Sequence, residues 1–280
     1  MRRIFRATAV AALLAGVIVN GANAQSPSTA ESPLTRPTPH TADGQVDLSG
    51  VWGATTLPPA AKPGESVRWL LPLKGVNPEG NDVFLGLDRL QVNARAASAN
   101  KPEYKPELLA KVKELSDRQD ILDPAFYCKP QGVPRMGPPS QIVQTPGQLV
   151  FLYGASNLFR VIPTDGRPHR ADADPSYMGD SIGRFEGDTL VVDVTNFNDD
   201  TWLASDGYFH TENMHVVERL GRQGDVLNYT ATVEDPGVLA KPWMLTPRIL
   251  RLSTSKADAL LEAPPCVEHD APHIVTLDHH

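Results

Sequence analysis

The chain has 280 residues, 41% of them hydrophobic and 21% charged, with 26 Lys and Arg against 33 Asp and Glu for a net charge of −7. That length supports one large domain with a sizeable core. An acidic balance without a basic cluster excludes nucleic acid and anionic membrane surfaces as expected partners.

Residues 1–24 read as a signal peptide. Arg2, Arg3 and Arg6 precede the apolar run from Ala7 to Val19, and Ala22-Asn23-Ala24 supplies a small-x-small cleavage pattern before Gln25. The run is shorter than the roughly 20 residues a membrane span requires. No later stretch approaches that length, so the mature chain is expected to be periplasmic or secreted, without membrane insertion. Losing the three arginines leaves 23 basic residues against 33 acidic, a net −10. Residues 25–46 are rich in Pro, Ser and Thr with few large apolar groups, which predicts a disordered linker.

Residues 47–280 then form a single domain. Its strand pattern opens at Asp47-Leu48-Ser49-Gly50-Val51-Trp52. A Gly-x-Trp on a first strand resembles the opening of lipocalin-type barrels, where the Trp closes one end. Residues 57–140 read as a helical and loop insert. Within it Pro106 starts a helix in which Leu108, Leu109, Val112 and Leu115 recur at helical spacing, and the helix ends before Asp123-Pro124. The two cysteines, Cys128 and Cys266, both lie in the exported part, and neither has CxxC spacing. An oxidising compartment predicts a disulfide between them.

From Gln141 the period becomes that of strands. Pro146-Gly147 suits a type II turn. Hairpins follow around Glu186-Gly187-Asp188 and Gln223-Gly224-Asp225, and a further strand runs from Arg248 to Ser253. The expected fold is mainly β: an antiparallel meander closing into a lipocalin-like β-barrel, with one accessory helix and long N-terminal loops. Closure removes the edges an open sheet must protect.

Several segments carry a further resemblance. Pro134-Arg135-Met136, Gln144-Thr145-Pro146, Thr164-Asp165-Gly166-Arg167-Pro168-His169, Gly179-Asp180-Ser181-Ile182-Gly183-Arg184, Glu186-Gly187-Asp188-Thr189, Thr201-Trp202-Leu203 and His215-Val216-Val217-Glu218-Arg219 resemble a large family of secreted bacterial proteins without an assigned activity. The resemblance implies export and a β-rich domain. It implies no catalytic residues.

Polar chemistry concentrates between Phe159 and Arg222. His169 lies among Asp165, Asp172 and Asp174, a set suited either to proton transfer or metal binding, or to a solvated turn. His210, Glu212 and His215 lack the i, i+4 histidine pair of a zinc-protease helix, so no metal site is assigned. Imidazoles half-protonated near neutrality instead suit acid–base work. Asp199, in Asn198-Asp199-Asp200-Thr201-Trp202, is either a carboxylate beside an indole wall or the cap of a turn. Arg184 and Arg219, near Glu186 and Glu218, read as buried ion pairs inside the barrel.

The candidate catalytic residues are therefore His210, His215, His169 and Asp199. Arg135, Tyr153, Trp202 and Trp243 are the candidate substrate-binding residues. No phosphate loop, dinucleotide fingerprint or serine-hydrolase elbow occurs. The leading functional expectation is a periplasmic enzyme without a cofactor, a lyase, hydratase or isomerase acting on a small aromatic or apolar molecule. A non-catalytic small-molecule binding protein and a metal-dependent hydrolase are the alternatives.

Overall fold

The computed structural model describes residues 36–54, 74–76, 82–84, 100–154, 157–255, 258–263 and 266. The expected signal peptide lies outside the described residues. In chain order the strands are β1 (Gly50–Ala54), β2 (Lys74–Val76), β3 (Asp82–Phe84), β4 (Gln141–Thr145), β5 (Gln148–Tyr153), β6 (Leu158–Pro163), β7 (Asp180–Glu186), β8 (Thr189–Thr195), β9 (His215–Gln223), β10 (Val226–Glu234), β11 (Trp243–Met244) and β12 (Arg248–Leu252). Two-residue alternation sets the inner face. In β9, Val216, Glu218, Leu220 and Arg222 are buried, whereas Arg219 and Gln223 between and after them are exposed.

Nine strands follow one hydrogen-bonded path, β6-β5-β4-β1-β12-β10-β9-β8-β7, with β11 added on β10 and β2–β3 forming a separate ribbon. Because β1 pairs with both β12 and β4, the path runs round in chain order as a meander that almost closes. Nine antiparallel neighbours cannot alternate all the way round a ring, so one adjacent pair has to run the same way. That pair is β6 and β7. Arg160 reaches Ser181 and Ile162 packs at Gly183, so the numbers rise together across the seam. A side chain at Gly183 would put its Cβ 2.9 Å from Ile162 Cγ2, and glycine is what lets the strands approach. The connection between them, residues 164–179, returns along the outside of the barrel.

Trp52 on β1 is buried in the core. Its indole N–H donates to Leu48 O at 2.9 Å, and the Arg222 guanidinium lies 5.2 Å above the ring. Arg222 also donates to Gly224 O at 2.7 Å and to Asp47 O. Residues 36–46 correct the expected linker. Val46 is fully buried, His40 pairs with Val46 as an isolated bridge, an ion pair joins Arg36 to Asp225, and His40 Nε2 hydrogen-bonds Asp188 Oδ1 at 2.9 Å. Composition counted apolar groups and missed polar anchoring to the hairpin tips.

At the opposite, open end the expected helix forms as a 3-10 turn, Pro106–Leu108, then α1 (Leu109–Asp117) and α2 (Gln119–Leu122). It covers the β8–β9 connection. There Gly207, at φ +78, lies so close that an added Cβ would meet Val112 O at 2.4 Å. Cys128 and Cys266 form the expected disulfide. Among the described residues no helix is long and apolar enough to cross a membrane.

Candidate functional site

Three polar assemblies stand out, and each has a different relation to the barrel wall. The first is inside. Arg160 from β6 lies 2.7 Å from Glu218 Oε2 across the barrel, donates to Tyr153 OH at 3.0 Å and to Ser181 Oγ at 2.8 Å, and Tyr229 donates to Glu218 Oε1 at 2.8 Å. Glu218 Oε2 and Arg160 Nε have no hydrogen-bond partner. Charge attraction therefore holds the pair. Burial pushes the Tyr153 phenol up to about 12, and burial together with Glu218 raises Tyr229 well above its ordinary value. Both phenols stay neutral, Tyr153 accepting from Arg160 and Tyr229 donating to Glu218.

This is the buried ion pair expected in the barrel, on different residues. Arg184 and Arg219 are exposed and share Glu186 on the outer face, so their assignment to the interior is corrected. The seam explains the substitution. Backbone hydrogen bonds do not join β6 to β7, and Arg160 stitches them with a side chain instead.

The second assembly is on the outside of the wall. His169, from the returning connection, has Nδ1 2.9 Å from Asp180 Oδ2 and Nε2 2.9 Å from Asp193 Oδ1. His215 Nε2 lies 3.0 Å from the other Asp193 oxygen, and Arg170 Nε donates to Asp180 at 2.7 Å. An imidazole between two carboxylates satisfies both only when both nitrogens carry protons. Partial burial pulls the His169 pKa down, but the bonds from Asp193 and Asp180 outweigh it and raise it above the ordinary value. The same bonds outweigh burial on Asp180 and Asp193 and hold both below the usual carboxylate value. The groups form a chain rather than a cage. Among the described residues no cluster of three or more His, Cys, Asp or Glu is placed to hold a metal ion.

His210 belongs to neither. It is buried in the β8–β9 connection, with Nε2 2.6 Å from Thr201 Oγ1 and Nδ1 3.1 Å from Thr211 O. Burial depresses its pKa, so it is a neutral imidazole with both nitrogens engaged. The three candidate catalytic histidines do not meet in one site. Two share Asp193 on the outer wall, and the third is packed elsewhere.

The third assembly is a cleft of about 490 Å³ at the open end. Its walls come from β10, β11, β12, the β8–β9 connection and the segments before α1 and after Cys128. Tyr208, Tyr229, Trp243, Leu245, Arg135 and Arg248 line it. Trp243 is pinned by its indole N–H, which donates to Asn100 Oδ1 at 3.0 Å. Tyr208 stacks on Tyr104 with centroids 5.8 Å apart. Arg135 is spent on Asp123, which is fully buried and takes two bonds at 2.7 and 2.6 Å. Tyr229 links this cleft to the interior ion pair.

No family model, curated protein or solved structure matches this chain. The site therefore rests on its own geometry.

Of the candidate binding residues, Arg135 and Trp243 line the cleft. Tyr153 is inside the barrel on Arg160. Trp202 is buried, bridged to Phe209, and packs in the core. Asp199 is exposed, and the turn beside it is closed by Asn198 Oδ1, which accepts from Asp200 N at 3.4 Å. Sequence reasoning missed Arg160, Tyr229 and Arg248. The alternation of β6 and β12 would have put Arg160 and Arg248 on the inner face, and a charged residue there is the signal.

Proposed function

We propose that this chain is an exported small-molecule binding protein, periplasmic or secreted, whose ligand occupies the cleft at the open end of the barrel. The observation that carries this reading is the cleft itself. Its volume suits a small ligand, and its wall sets the Trp243 and Tyr208 rings beside polar and charged side chains that can orient a guest. The interior supports it from below, because Phe151, Ile142, Leu149 and Ile162 fill the barrel and leave the mouth as the place for a guest. The signal peptide expected from the sequence and the resemblance to secreted bacterial proteins support an exported compartment. The cysteine pairing is consistent with an oxidising one.

Acid–base catalysis is the second reading, and one observation favours it. Tyr229 lines the cleft while its phenol donates to Glu218, a donor and a carboxylate adjoining a place where a substrate fits. The histidines lend it less, since none of those among the described residues lines the cleft. Titrating purified protein with planar aromatic compounds while following Trp243 fluorescence tests binding. Saturable quenching is expected, and it should vanish in Ala204→Trp, which fills the cleft. Conversion of a bound compound that is lost in Tyr229→Phe with binding retained would move the assignment to the enzyme.

A further inference from the structure

Arg248 is the first residue of β12 and sits opposite Tyr229 in the ladder with β10. Alternation gives it the same face as Leu250, which is buried in the core. Yet Arg248 is exposed, because β12 starts where the cleft opens. Among the described residues its guanidinium makes no hydrogen bond and no ion pair. The other arginines do not share this condition in the cleft: Arg135 is neutralised in place by Asp123. The charges lining the cleft are Lys101, Arg135 and Arg248 against Asp206.

An inward-facing, unpaired guanidinium beside a fixed indole is a two-part receptor. The fork of N–H donors matches a carboxylate with two parallel bonds, and the ring offers a flat apolar wall to a planar body. Asp206 is the carboxylate among the lining residues. Glu218 is held on Arg160 and Tyr229 behind the wall.

The geometry points to a planar organic carboxylate as the ligand of this cleft, its anionic head on Arg248 and its ring against Trp243. This rests on the cleft being the binding site, and it adds the charge and orientation of the guest.

The test uses two probes of one shape, 2-naphthoate and 2-naphthalenemethanol, titrated into the full mature protein by calorimetry and Trp fluorescence. The wild type is expected to bind the carboxylate about tenfold or more tightly than the alcohol, the strength of a charge-assisted pair, with affinity falling as salt rises. Arg248→Gln should erase that preference, bringing the carboxylate down to about the affinity of the alcohol. Because Arg248 is exposed and unpaired, the variant should melt with the parent. Equal affinity for the two probes in the wild type, or a preference that survives Arg248→Gln, overturns the carboxylate assignment while leaving the cleft as a binding site. Failure of both probes to bind removes the cleft reading and this inference together.

Discussion

Arg160 on β6 and Glu218 on β9 meet inside the barrel, with Nη1 and Oε2 2.7 Å apart and side chains 3% and 0% exposed. The pair also crosses to β7 through Ser181, and β6 and β7 share no ladder. It therefore joins the one place where the ring of strands is not closed by backbone. Glu218→Gln leaves the guanidinium buried without a counter-charge, and the expected loss is about 3–5 kcal/mol in urea unfolding. Replacing both partners, Arg160→Met with Glu218→Leu, removes both buried charges and should lose less than the single change. A Glu218→Gln protein as stable as the parent would show that the pair does not close the seam.

Gly183 makes the same seam sensitive to volume. An added methyl would meet Ile162 Cγ2 at 2.9 Å, Thr164 Cγ2 at 3.0 Å and Leu190 Cδ1 at 3.2 Å. Overpacking of this kind costs about 1–3 kcal/mol, against the usual small gain from Gly→Ala in a strand. Gly221→Ala on β9 is the control, since its new Cβ would meet only Thr189 Oγ1, at 3.3 Å. Thermal melts should rank Gly183→Ala clearly below Gly221→Ala. The reverse order would mean that β6 and β7 are free to move apart.

Most of the barrel was legible in the sequence, because local rules write it. Hairpin tips at Gly187 and Gly224, both at φ +58, and two-residue alternation fix β7 to β10 within a residue or so of their ends. The parallel seam was not legible, since it follows from counting strands round a ring and not from any segment. The site was harder for a related reason. A histidine in a polar stretch reads alike whether it faces a cavity, as expected for His215, or the outer wall, as found. His215 adjoins Val216, whose burial sets the face, so the alternation of β9 already assigned His215 outward. The ligand-facing Arg248 was overlooked because isolated charges at strand starts usually lie in solvent.

The disulfide spans 138 residues and ties the segment before β4 to the chain beyond β12. A loop that long is worth up to about 5 kcal/mol if the constraint acts on the unfolded chain. Cys128→Ser with Cys266→Ser should lower the urea midpoint and raise the slope of the transition, because the unfolded chain without the cross-link exposes more surface. An unchanged midpoint would mean that the two segments are held together by other contacts.

The outer clasp makes stability depend on pH in a way that two variants separate. His169 is held above its ordinary pKa in the folded chain. Its contribution is complete below about 6.5, the usual imidazole value, and fades as pH rises through the folded value. Asp180 and Asp193 are held low, so theirs is complete above about 3.9 and fades as pH falls through the folded values. The clasp is at full strength between those limits. His210 works in the opposite sense: buried and depressed, it costs stability as pH drops below about 6.5, where the unfolded chain takes up the proton first. His169→Gln should therefore destabilise more at pH 5 than at pH 9, and Asp193→Asn should share that pattern because it removes the same bond. His210→Gln should lower stability at pH 9, where the Thr201 and Thr211 bonds are lost, and by less at pH 5. Urea curves across this range decide it, and a His169→Gln deficit equal at both ends would show that the imidazole between Asp180 and Asp193 is not charged.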